Sequence, residues 1–337
     1  MTTATANPSA GYNPYLRPDY EPGGIHLAQL PGNSSTIAAP PTSPSLMPPP
    51  PGYPGYPGQP AYPAYPDPYG GYPGQPFDVT LTRRVQAVSG TYTWLAGGSS
   101  ANELGVNVFD INASFAFGFL YSDQPLVITP GFTWNLWHGA NALALPSKTY
   151  DAYVDISWRP QFGPTFGMDL GFTPSMSTDF QDDNSDMFRW QARALGTVRL
   201  NPTMELVAGV LYLDRRKFNL LPAGGLIWTP NTDTRFELFF PRPRLAQRLP
   251  TVGTTDWWWY VAGEFGGGEW SIVQDTGVRN KMDYFDLRAV LGLEWQTYQG
   301  PRGMFEVGWV FDREITLNAG VKTTPDDTFM LRAGVFF

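Results

Sequence analysis

Two histidines, no cysteines and a scatter of paired acids are what 337 residues offer for catalysis or metal binding. His26 stands in a proline-rich stretch. His138 follows Asn135-Leu136-Trp137 and precedes Asn141. Ester hydrolysis on a Ser/His/Asn set needs a serine held against the imidazole, and no recognisable motif supplies one, so His138 reads as a solvated loop histidine. Asp151 and Asp155 share a parity in an alternating segment but have no basic or metal-binding partner at fixed spacing. They read as lining rather than as an acid–base pair. The run Asp182-Asp183-Asn184-Ser185-Asp186 lacks the glycine and the distal glutamate of an EF-hand loop and reads as a solvated loop. Without cysteine, disulfides, thiolate zinc sites, iron–sulfur clusters and thiol catalysis are excluded. The expectation is no catalytic residue, no metal and no cofactor: not an enzyme.

The informative charges are those placed at every second residue. Asp151, Asp155, Arg159, Asp169, Arg189, Arg193, Arg199, Asp286, Arg288, Glu294, Glu306, Asp312 and Arg332 all lie opposite large apolar side chains in alternating runs. A charge facing hydrocarbon at the bilayer midplane costs about 2–4 kcal/mol, so these positions are expected to line a lumen. Two outcomes are open. The charges pair and fill the barrel, or they form opposed ladders along a water channel that selects polar solutes.

The elements that would carry them are strands. "FDINASFAFGF" (109–119) puts Phe109, Ile111, Ala113, Phe115, Phe117 and Phe119 on one face and Asp110, Asn112 and Ser114 on the other. The same period of two runs through 150–159, 166–172, 188–200, 285–295 and 305–312. These runs are about 9–15 residues long, whereas soluble strands average about 5–6 and a tilted membrane strand needs about 9–11. Trp134, Trp158, Trp190, Trp257, Trp259, Trp295 and Trp309 stand where interfacial girdles are expected. A sheet that crosses a membrane must close, because every amide needs a partner. The pattern predicts an all-β, antiparallel transmembrane β-barrel over residues 81–337, with about 12 strands (range 10–14). Asn201-Pro202 and Thr229-Pro230-Asn231 read as turns, and 177–186 and 274–283 as longer surface loops. "FFPRPRLAQRL" (239–249) fits a kinked strand, a bulged strand or a loop, since Pro241 and Pro243 cannot sit in a central ladder.

Residues 1–80 have no apolar period. Proline recurs every third position from Pro48 to Pro66, which aligns Tyr53, Tyr56, Tyr62 and Tyr65 along one edge of a polyproline II helix. This segment reads as a disordered Pro/Gly/Tyr-rich tail or spacer, with contact to cell-wall polymer or a surface partner as the sharper alternative. A net charge of -8 argues against nucleic-acid binding. No apolar run approaches the ~18 residues of a membrane helix, and Met1–Gly24 lacks the basic and apolar regions of a secretion signal. An outer-membrane location therefore assumes a cleaved or missing signal peptide.

The terminal run "TFMLRAGVFF" sets Phe329, Leu331, Ala333, Val335 and Phe337 on one face. It resembles the C-terminal signal of bacterial outer-membrane barrels, which implies recognition by the barrel-assembly machinery. "YLDRRKFNLLPAGGLIWTPN", "FPRPRLAQRL" and "WWWYVAGEFGGGEW" resemble an uncharacterised planctomycete-type family of outer-membrane β-barrels, a domain of unknown function. That resemblance implies location, lipid contact and fold rather than chemistry. The function expected first is a porin-like channel for uptake of small polar solutes. The alternative is a structural or adhesive surface protein that uses a closed barrel as its anchor.

Overall fold

The computed structural model describes residues 85–98, 102–120, 122–139, 144–181, 185–297, 300–318 and 320–337. The proline-rich tail and the acidic run 182–184 lie outside the described residues. Every long alternating run forms a strand. They are β1 (Val85–Leu95), β2 (Leu104–Phe119), β3 (Ser122–Gly139), β4 (Lys148–Trp158), β5 (Phe166–Thr178), β6 (Phe188–Asn201) and β7 (Met204–Tyr212), then β8 (Leu220–Asn231), β9 (Thr234–Phe240), β10 (Arg244–Val252), β11 (Thr255–Val273), β12 (Arg279–Thr297), β13 (Arg302–Leu317), the two-residue β14 (Lys322–Thr323) and β15 (Thr328–Phe336).

Each strand pairs antiparallel with the next, and β15 pairs with both β13 and β1, so the sheet closes. β14 is a short arm on β13, which leaves fourteen strands in the ring among the described residues. Fourteen is the upper end of the expected range of 10–14 and two above its central value of twelve. Pro241 and Pro243 mark the reason. They occupy the turn between β9 and β10, two short strands that period counting merges into one kinked segment. The expected loop 274–283 is also shorter than read: β12 begins at Arg279, so only 274–278 connect β11 to β12.

The barrel is inside-out relative to a soluble sheet. Along β15, Phe329, Leu331, Val335 and Phe337 are exposed, at 65% and 70% for the two end phenylalanines, while Met330, Arg332 and Phe336 are buried. The strand is tied at its end by reciprocal backbone bonds between Val88 and Phe337, at 3.1 and 2.9 Å. Aromatic pairs gather at two heights. Phe119–Trp158, Trp228–Phe236 and Trp257–Trp295 stand near the short turns, and Tyr92–Phe109, Phe132–Trp134, Phe172–Trp190 and Trp309–Phe329 stand toward the longer connections. Tyr150 and Trp158 mark the two levels on one strand, about 27 Å apart along it and about 20 Å along the barrel axis at ordinary tilt.

Removing Phe337 deletes the last backbone pair at the β1–β15 seam. Expressed chains lacking it are expected to give several-fold less heat-modifiable barrel in membranes, whereas truncating residues 1–80 leaves the yield near that of the full chain. Equal yields would reject the role given to the seam.

Candidate functional site: a lumen crossed by its own hairpin

The inward face of β1 to β6 is polar. Ser89, Thr91, Thr93, Asp110, Asn112, Ser114, Thr129, Thr133 and Asn135 are buried there. Asp110 accepts from Thr133 at 2.6 Å and from Asn112 at 3.1 Å. Arg193 on β6 reaches Asp155 at 2.9 Å and Asp169 at 3.0 Å, and Arg159 lies 3.7 Å from Asp169. Gly171 makes room for this arrangement: a Cβ there would sit 2.3 Å from the Arg193 guanidinium. The inward face of β6 to β9 is different. Leu195, Val207, Leu211, Ala223, Ile227 and Phe239 form an apolar cluster inside the barrel.

A second ionic group sits under β10 to β15. Arg332 reaches Glu264 at 3.3 Å and also pairs with Glu306, which accepts from the Tyr260 hydroxyl. Arg242 lies 3.7 Å from Glu264, Arg244 pairs with Glu294, and Arg288 holds Asp286 through two bonds of 2.7 and 3.0 Å. All these side chains are essentially excluded from solvent. In the water-poor interior such pairs offset their desolvation only through close, multiple hydrogen bonds, which Arg332 and Arg288 make and Arg242 and Arg244 make less completely.

The wall itself is interrupted. β10 accompanies β11 only as far as Arg244 opposite Ala262, with Gly263 donating to Pro243 at 3.0 Å. Beyond that point β11 pairs along its length only with β12, and residues 266–272 and 282–286 are buried on both faces. A strand in a barrel wall buries one face. One that buries both has left the wall and entered the interior. The bend falls at Gly266-Gly267-Gly268. Gly267 has φ 101°, and a Cβ there would stand 1.7 Å from the Tyr284 carbonyl oxygen. Only glycine adopts this conformation freely.

The folded-in hairpin lands on the far wall. Trp270 donates to Asp151 at 3.0 Å, Glu269 pairs with Arg189 at 3.0 Å, and Val273 donates its amide to Asp179 at 2.7 Å. Ser271 bridges Thr178 of β5 as a single parallel contact. Trp270 and Tyr284 pack edge-on against Trp137 at 5.3 and 5.5 Å. Arg215, between β7 and β8, fixes Asp283 at 2.8 Å. In the ring order β11 lies seven places from β4 in either direction, so the hairpin crosses a diameter.

The sequence-derived lining residues occupy the following places. Asp151, Asp155, Arg159, Asp169, Arg189, Arg193, Asp286, Arg288, Glu294, Glu306 and Arg332 are all buried and inward. Asp312 is not: it is exposed at φ 50°, beside a register shift opposite Phe285–Leu287, and the parity passes to Arg313, which is buried. Arg199 is half-buried near the short-turn end. Of the aromatic set, Trp134, Trp190, Trp259 and Trp309 are exposed, and Trp158, Trp257 and Trp295 are half-buried. His138 is exposed at the end of β3. Sequence reading missed Tyr260, Arg242, Arg244, Glu264, Glu269 and Trp270. Alternation through "WWWYVAGE" already assigns Tyr260 and Glu264 to the inward parity. Glu269 and Trp270 have no such signal, because both faces of the hairpin are covered.

Gly267→Val is expected to expel the hairpin from the lumen, since it adds a positive-φ penalty of about 1–3 kcal/mol to a backbone clash. Limited proteolysis at 274–278 should then become several-fold faster. Unchanged cleavage would count against the bend as the hinge.

No protein-family model matches the chain, and no curated protein matches it by sequence. Similar solved structures are outer-membrane barrels. The KdgM porin in complex with disordered oligogalacturonate is 9% identical, covers 74% of this chain and 98% of that one, and has a TM-score of 0.35. The translocator domain of autotransporter NalP from Neisseria meningitidis is 10% identical, over 76% and 88% of the chains, at 0.37. The COG4313 outer membrane channel from Pseudomonas putida F1 is 14% identical, over 78% and 99%, at 0.35. Agreement at this level carries no functional inference.

Proposed function

We propose that the chain is an outer-membrane β-barrel that works as a gated, porin-like conduit for uptake of small polar solutes, shut in this conformation by the β11–β12 hairpin. The carrying observation is that hairpin, hinged at three glycines and crossing a lumen whose β1–β6 half is polar. An exterior of exposed Phe, Leu, Val and Trp around buried charges supports membrane embedding, because the reverse placement would be expected in water. The reading assigns no catalytic residue. It carries forward assembly through Phe329, Leu331, Val335 and Phe337 by the barrel-assembly machinery, and the likeness to a planctomycete-type barrel family as a statement of location and fold.

A second reading has its own observation in the ion pairs, which are buried and closely bonded as in a filled, rigid barrel. That reading makes the barrel an anchor, with the tail contacting cell-wall polymer or a surface partner. Refolded full chain in planar bilayers separates the two. Brief openings from a closed baseline support the gated conduit. Silence from a barrel that migrates faster unboiled than boiled supports the anchor, and identical migration with no need for detergent would reject the membrane barrel altogether.

A further inference from the structure

The short strands β9 and β10 leave a notch in the wall. β9 reaches only as high as Phe240 opposite Gly224, so Leu220–Ala223 of β8 pair on the β7 side alone. Across the gap, β11 between Gly263 and the Ser271 bridge to β5 has no strand on its β10 side among the described residues. Two strands are thus missing over about 13 Å along β8, and β11 turns into the lumen on the other side of the gap.

Aromatic rings fill the notch. Phe240 meets Phe265 edge-on at 5.6 Å, Phe265 meets Phe285 at 6.0 Å, and Phe285 meets Phe218 at 5.6 Å. Outside them, Leu220 and Phe240 are exposed on the outer face. Behind them, Phe218, Leu221 and Phe265 pack on the apolar interior cluster of Leu195, Leu211 and Phe239. An apolar cluster of the interior therefore lies directly behind this gap in the wall, and rings connect the two.

Basic side chains crown the gap. Arg216 and Lys217 are exposed between β7 and β8. The Lys217 ammonium lies 4.0 Å above the Phe285 ring, and Arg216 bonds the Asn318 side chain. Lys217 and Lys322 share Glu314, at 3.0 and 2.6 Å. The nearby Asp214 carboxylate is turned to the Trp190 amide and the Tyr212 hydroxyl on the β6 side. Glu269 and Asp283 accept from the Arg216 and Lys217 amides and are themselves paired with Arg189 and Arg215, so the side chains of Arg216, Lys217 and Lys322 against Glu314 leave the top of the notch positive by two.

We propose that this notch is a lateral binding site for an anionic bilayer phospholipid, with an acyl chain among Phe218, Leu221, Phe240, Phe265 and Phe285 and the phosphate at Arg216 and Lys217. The proposal rests on the membrane placement above and is independent of conduction. Apolar area gives the chain its affinity, and each basic residue near the membrane surface adds electrostatic attraction.

The test uses the full chain in phosphatidylcholine nanodiscs doped with phosphatidylglycerol bearing a photoactivatable acyl chain. Cross-links are expected at Phe218, Leu221, Phe240, Phe265 or Phe285. The double variant Arg216→Ala/Lys217→Ala should lower them about ten-fold, while Lys281→Ala, elsewhere at the same end, should leave them unchanged. A phosphatidylcholine probe should label the notch weakly. Labelling spread evenly over outward residues such as Leu291 and Val307, or equal labelling by both lipids, overturns the proposal. Focused labelling of a barrel that never conducts upholds the site and removes the conduit. Conduction with even labelling does the opposite.

Discussion

Replacing Gly266–Asp286 by a two-residue Asn-Gly turn is expected to convert a mostly silent barrel into one with steady, long-lived conductance steps. Phe265 and Leu287 stand opposite each other in the ladder, so a type I′ turn can join them without disturbing the register below. The deletion removes Glu269, Trp270, Asp283 and Tyr284, which bridge the lumen to β3–β6 and to Arg215. Arg189, Arg215, Arg288, Asp151 and Asp179 lose partners, but the space vacated admits water, which replaces those bonds at little net cost. Glu264, Arg332 and Glu306 lie below the cut and stay paired. The measurement is mean current in planar bilayers, on protein whose unboiled band still runs fast. A folded but silent deletion variant would show that side chains alone block the lumen, and the anchor reading would then stand.

Arg332→Met is expected to be the most destabilising single change in the wall. The guanidinium is 1% exposed and sits between Glu264 and Glu306, also donating to Thr93 at 3.1 Å. Removing one partner of a buried pair strands the other, at a cost of about 3–5 kcal/mol. Glu264 keeps Arg242 at 3.7 Å, so Glu306 suffers most. The midpoint of urea unfolding, followed by the heat-modifiable band, should fall sharply. Adding Glu264→Gln and Glu306→Gln should restore most of the loss, because amides are tolerated where orphan carboxylates are not. A single variant as stable as the parent, or a triple variant no better than the single one, would show that the pairing is not what holds this region.

Alternation carried most of the fold, for a physical reason. In β4, β6, β13 and β15 one face meets hydrocarbon and the other does not, so a period of two is written into side-chain type. It failed where that contrast is absent. Between β9 and β10, Pro241 and Pro243 suggest one broken strand instead of two whole ones. In the hairpin, Trp270 and Ile272 share one face and Glu269 and Ser271 the other, yet all four are buried, so the sequence still looks like wall. At Asp312 a single left-handed residue exchanges inside for outside, an event that leaves no compositional trace. The lining charges were legible because hydrocarbon forbids them outside. Their individual partners were not, since pairing depends on shear between strands as distant in sequence as β11 and β15.

Arg332 follows Glu264 by 68 residues and Glu306 by 26, and it reaches back 239 residues to Thr93. The cation that neutralises the central acids is thus delivered by the same strand that seals the cylinder. A polypeptide terminated early by a nonsense codon or a stalled ribosome would carry Glu306 without its counter-ion, along with an unsealed edge. Such a product cannot settle into a long-lived state and stays open to envelope proteases.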